Sequence, residues 1–89
     1  MKISVDISMY PLDADYKPVI KAFIRDLRSH AGLQVITNQL STPVVGEFAD
    51  VTTAINTCMH AAMEGESKVV FVTKWLNNAL DIERLPDID

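Results

Sequence analysis

Ile3, Val5, Ile7 and Met9 alternate with Lys2, Ser4, Asp6, Ser8 and Tyr10. A period of two over this length predicts a β-strand with one buried face. Pro11 ends it. Asp13 is placed to cap a following helix, because its carboxylate can accept a hydrogen bond from a free amide of the first turn. Pro18 stands near that start, where its missing N–H costs little. Tyr16, Val19, Ile20, Phe23, Ile24 and Leu27 follow at helical spacing and predict one apolar stripe over roughly 15–30, with Gly32 as the stop. Residues 33–37 and 43–48 read as a second and a third strand around a short polar connection. A second helix opens at Ala49 or Asp50, buries Val51, Ala54, Ile55, Cys58, Met59, Ala62 and Met63, and closes at Gly65. Residues 68–75, with Val69, Val70, Phe71, Val72 and Thr73, form the last strand. The remainder, 76–89, is acidic. Its first part is expected as a short helix or an arm, and its last residues as mobile.

The order β-α-β-β-α-β predicts an α+β fold. Two right-handed crossovers joined by a hairpin give a ferredoxin-like sandwich, an antiparallel sheet with both helices on one face. The domain spans 1–75 and a short C-terminal extension 76–89. Strands one and three are central, and the other sheet face is bare in a single copy. If Ile3, Val5, Ile7 and Met9 meet the helices, Lys2, Ser4, Asp6, Ser8 and Tyr10 lie on the open face. Alternation on the third strand separates Val45 and Glu47 from Val44, Gly46 and Phe48, and Glu47 is assigned to the open face beside the polar row. Tyr10 and Trp75 are expected near strand ends on the same side, as aromatic walls over a polar floor. A merely wetted sheet is the plainer alternative.

The hairpin connection carries the most chemistry. Thr37, Asn38, Gln39, Ser41 and Thr42 supply hydroxyls and amides, with no charge before Glu47. A connection that only reverses the chain needs few such groups. This one can hold a small polar molecule without reacting with it. Plainer roles exist for each residue. Asn38 starts a turn. Ser41 and Thr42 satisfy loop amides. Glu47 is solvated or pairs with Lys68 or Lys74, and Trp75 fills a core or an interface.

The segments Ser4-Val5-Asp6-Ile7-Ser8-Met9-Tyr10-Pro11-Leu12 and Thr37-Asn38-Gln39-Leu40-Ser41-Thr42, followed by Gly46-Glu47-Phe48, resemble the YkoF-like family over roughly residues 3–75. Members of that family bind thiamine and its hydroxymethylpyrimidine moiety on a ferredoxin-like fold. The resemblance implies ligand binding in thiamine precursor uptake or salvage, without catalysis and without a cofactor. It also implies that Tyr10, Thr37, Asn38, Ser41, Thr42 and Glu47 hold the pyrimidine. The better-known member carries two copies of the unit, whereas this chain has one, which implies a homodimer, or a tetramer built from dimers, joined through the open sheet. An aminopyrimidine offers an amine donor and ring-nitrogen acceptors, which a carboxylate and hydroxyls can match. A thiazolium would be drawn to Asp6 or Glu47 and could stack on Tyr10 or Trp75.

Composition narrows the alternatives. The chain has 89 residues, enough for one domain, and a formal net charge of −4. Acidity argues against nucleic acid as a partner and mildly against phosphorylated ligands. Lys17, Lys21, Arg25 and Arg28 share one side of the first helix and read as a solvated face. The N-terminal run carries Asp6 where a signal peptide would be apolar, and no stretch is long and apolar enough to span a bilayer, so a cytoplasmic protein is expected. Cys58 is the only cysteine, which excludes an intramolecular disulfide and reads as packing. His30 and His60 have no third ligand at metal-site spacing. No glycine-rich phosphate loop or nucleophile elbow is present, and an Asp6–Glu47 carboxylate pair would be the only acid–base couple. Two readings of another class remain. One is an assembly or regulatory module whose open sheet makes an oligomer or partner interface. The other is a partner-binding module that uses the acidic tail. A monooxygenase barrel fits poorly with a polar open face.

Overall fold

The computed structural model describes residues 1–88; Asp89, the end of the expected mobile tail, lies outside them. Six elements follow one another: β1 (Lys2–Pro11), α1 (Lys17–Arg28), β2 (Gln34–Val35), β3 (Thr42–Glu47), α2 (Phe48–Met63) and β4 (Val69–Leu76). The sheet order is β2-β3-β1-β4, all neighbours antiparallel. This is the ferredoxin-like α+β arrangement expected from the element order.

One face of β1 makes the core. Ile3, Val5 and Ile7 are buried with Phe23 and Leu27 of α1, Val44 of β3, and Val51, Ala54, Ile55 and Cys58 of α2. Phe23 stacks at a tilt on Phe71, with centroids 5.1 Å apart, which ties α1 to the edge strand β4. Gly46 lies where β3 passes closest to its neighbours. A Cβ there would stand 2.9 Å from the Gly32 carbonyl oxygen and 3.2 Å from Val51 Cγ2. Gly32 itself has φ +83°, a left-handed turn that favours glycine.

Several local expectations shift. The Asp13 carboxylate does not cap α1, whose N-cap is Tyr16 without a side-chain hydrogen bond. It accepts the N–H of Asp15 at 3.1 Å and the Ser67 hydroxyl at 2.9 Å, and so joins the β1–α1 loop to the α2–β4 loop. Those two bonds, the backbone one foremost, hold its carboxyl below the usual range. Tyr16 is exposed rather than part of the buried stripe. The helix ends at Arg28, before Gly32 is reached. The second strand shortens to two residues, although Ile36 N–H still bonds the Pro43 carbonyl at 3.0 Å.

The open face is neither bare nor uniformly polar. The register places Ser4 beside Val45 and Leu76, Asp6 beside Pro43 and Lys74, and Ser8 beside Val72. Apart from Lys74, the polar row on β1 is therefore flanked by apolar side chains, and Val70, Val72 and Leu76 are exposed. After Leu76 the described residues form no helix; the chain turns back as an arm. The Ser4 hydroxyl donates to the Asn78 carbonyl at 2.7 Å and accepts the Leu80 N–H at 2.9 Å, so Ser4 is buried. Beneath the arm, Asp6 Oδ1 is buried with no hydrogen-bond partner among the described residues, while Oδ2 lies 3.8 Å from Lys74 Nζ.

Candidate functional site

The β2–β3 connection is built around Asn38. Its side-chain oxygen accepts the N–H groups of Leu40 and Ser41, each at 2.8 Å, and its own N–H bonds the Ser41 carbonyl at 3.0 Å. This Asx-type turn is why Asn suits the position. With the oxygen committed to the loop, the carboxamide's N–H groups are the part that can serve a ligand. Thr37 and Thr42 close the base of the loop, their hydroxyls 3.4 Å apart, with Thr42 buried.

The turn stands over a cavity of about 290 Å³ between the sheet and α1. Ile7 and Met9 of β1 and Ile20, Phe23 and Ile24 of α1 form its apolar wall. Thr37, Asn38, Ser41 and Thr42 form its polar side, and Tyr10 and Leu40 also line it. An apolar cleft with a few convergent polar groups is the usual form of a small-molecule site, and this volume lies at the small end of that class. Five of the six residues singled out in the sequence thus meet at one cavity.

Glu47 is not among them. It ends β3, five residues from Thr42, about 17 Å along the strand at the usual rise. Its carboxylate accepts a bond from the Met1 amine at 3.1 Å. Glu47 does share the open face with Lys2, its partner in the ladder. Asp6 faces Pro43, four positions further on, so Asp6 and Glu47 form no carboxylate couple. Tyr10 and Trp75 are not two walls of one site. Tyr10 pairs with Val70, whereas Trp75 pairs with Val5, five positions back along β1 and on the helix side of the sheet. The Trp75 indole N–H donates to the Thr73 hydroxyl at 3.0 Å.

Local charge at the cavity differs from the overall balance. Lys21, Arg25 and Arg28 border a shallow groove of about 260 Å³ that reaches Thr37 and Ile24, two residues that also line the cavity. The acidity of the chain therefore does not describe the field at the hairpin.

Cys58 packs at 1% exposure beneath α1. Burial pushes its thiol up to about 12, and the Asp26 carboxylate adds to the rise. An unfolded thiol ionises near 8.5. The stability contributed by this neutral, buried thiol is thus fully present below that value and is lost as pH rises from there toward 12. Urea midpoints in EDTA at neutral pH and at about pH 10.5 should fall further for the wild type than for Cys58→Ala; equal falls would refute the assignment.

A ferredoxin-like domain with a small cavity under its β2–β3 turn is the class that fold and site define. Solved structures share its fold. A protein from Thermotoga maritima, provisionally described as a thiamine biosynthesis/salvage protein, superposes with a TM-score of 0.77 at 20% identity, over 93% of this chain and 92% of that one. A protein from Streptococcus pneumoniae gives 0.78 at 22% identity, over 93% and 91%. A domain of unknown function, DUF77, from Bacillus cereus gives 0.72 at 15% identity, over 93% and 85%. At these identities the likeness is one of fold, the fold that the YkoF-like resemblance implied. No family sequence model and no curated protein sequence matches the chain. Among the described residues, no helix is long and apolar enough to cross a membrane.

Proposed function

We propose that this protein is a YkoF-like binding protein that holds thiamine, or its hydroxymethylpyrimidine moiety, in the cavity under the β2–β3 turn. Binding without turnover then serves uptake or salvage of the vitamin precursor in the cytoplasm. The observation that carries the reading is the convergence of Thr37, Asn38, Ser41 and Thr42 on one cavity backed by Ile20, Phe23 and Ile24. A flat aminopyrimidine would lie against the apolar wall and exchange hydrogen bonds with the hydroxyls and the Asn38 carboxamide. A site of that kind rejects rings that lack the matching groups, because its own polar atoms would be left unpaired. The Thermotoga maritima protein's provisional description supports the same class of ligand. A pair of chains, or a tetramer, would cover the exposed Val70, Val72 and Leu76 of the open face.

The reading is tested by calorimetric titration of the folded protein with thiamine, hydroxymethylpyrimidine and thiamine phosphate. Saturable binding by the wild type is expected to weaken roughly three- to tenfold in Ser41→Ala, the worth of one hydrogen bond. Unfolding by urea should be unchanged, because among the described residues the Ser41 hydroxyl makes no hydrogen bond within the loop and the turn rests on Asn38. Glu47→Ala should leave affinity unchanged. No heat with any of the three compounds would overturn the ligand assignment and favour the assembly module.

A further inference from the structure

The crevice between the two helices holds a second constellation. Asp26 and His30 stand one turn apart at the end of α1, and Cys58 faces them from the middle of α2. Cys58 Sγ lies 3.9 Å from His30 Nδ1, and one ligand-type atom from each of the three residues lies within 4.8 Å of the other two. We propose that Asp26, His30 and Cys58 bind a borderline transition-metal cation, of which Zn²⁺ is the best match, in the crevice between α1 and α2.

The donor set makes the choice of metal. Sulfur, imidazole nitrogen and one carboxylate are zinc ligands, whereas calcium and magnesium take oxygen alone. Zinc–sulfur and zinc–nitrogen bonds of about 2.3 and 2.0 Å at a tetrahedral angle put those two atoms roughly 3.5 Å apart. The observed separation is a few tenths of an ångström wider, within reach of one side-chain adjustment. Access is provided by a cavity of about 240 Å³ that touches Asp26 and Cys58 between Val19, Ala22, Ala61 and Gly65. It leaves room for water as a fourth ligand.

Coordination also has a defined proton balance. His30 Nδ1 now lies 3.0 Å from the Asp26 carbonyl oxygen. Ligation through Nδ1 places the ring proton on Nε2, and the Cys58 S–H bond breaks with its proton leaving to solvent. Nothing is oxidised or reduced. The same triplet is unsuited to nucleophilic catalysis, because an attacking thiol needs exposure and a lowered pKa, and Cys58 has neither.

The test is a Co²⁺ titration of the full-length, reduced, EDTA-treated protein, followed by displacement with Zn²⁺. One equivalent should bring a thiolate-to-cobalt charge-transfer absorption in the near ultraviolet and tetrahedral bands in the visible. Zn²⁺ should abolish both. Cys58→Ser should lose the charge-transfer band. His30→Ala, a change at a partly exposed ring, should keep the fold by circular dichroism and weaken Zn²⁺ binding at least about tenfold, the loss that removing even an outer-sphere partner brings. Absence of the charge-transfer band in the wild type would overturn the proposal. So would equal Zn²⁺ affinity in wild type and His30→Ala, which would place any bound ion at the exposed His60–Glu64 pair instead. Thiamine binding is independent of either result.

Discussion

Leu27→Ala is expected to remove about 2–5 kcal/mol of stability, the range for deleting a fully buried leucine and leaving its cavity. Leu27 has no exposed surface and sits in the cluster shared by β1, β3 and both helices. On α1, Phe23 and Leu27 are the buried residues, so the helix rests on two anchors. A domain of this length has roughly 4–13 kcal/mol in total at the usual stability per residue. The loss is therefore a large share of it. Urea unfolding followed by circular dichroism measures it, with Leu40→Ala as the control. Leu40 is 88% exposed at the turn and should shift stability by no more than about 0.5 kcal/mol. A Leu27→Ala protein as stable as the wild type would mean that α1 does not pack as described.

Gly46→Ala is the second large effect. The new methyl would stand 2.9 Å from the Gly32 carbonyl oxygen and 3.0 Å from Leu33 Cδ2. The first of these is backbone and cannot rotate away, so β3 must move off the loop at Gly32. Overpacking of this kind costs about 1–3 kcal/mol, which lowers the melting temperature by roughly 5–20 °C in a domain this small. Gly65→Ala meets only the Ala62 carbonyl oxygen at 3.3 Å and should shift it far less. Equal melting temperatures for the two variants would show that the close approach at Gly46 is absent. The folded fraction of Gly46→Ala should keep its ligand affinity, since Gly46 lies four residues along β3 from Thr42. The Gly46-Glu47 pair is then a feature of strand packing and of the Met1 ion pair, rather than of the cavity.

Much of the fold was legible because its signals are local. The alternation of Ile3, Val5 and Ile7 with Ser4, Asp6 and Ser8 survives in the structure, as does the stripe at Phe23, Ile24 and Leu27. The hairpin was legible for a similar reason. Thr37, Asn38, Ser41 and Thr42 are near neighbours, so whatever holds them together also gathers their side chains. The placement of Asp13 was not, because its carboxylate found Ser67 across the molecule in place of the amides of the adjacent helix.

By itself the sequence determined the order of the elements, the buried face of β1 and the polar turn, all properties of a few consecutive residues and the period of their backbone. Only the tertiary structure decided what strand register and chain reversal bring together. Register set Trp75 beside Val5, five positions along β1 from Tyr10, and carried Glu47 away from the turn to Met1. The reversal after Leu76 brought Asn78 and Leu80 onto Ser4. Packing of α1 on α2 set Cys58 against Asp26 and His30, 28 residues from the nearer of them. Periodicity says which way a side chain points from its own element; the partner it meets is set by contacts between elements far apart in the chain.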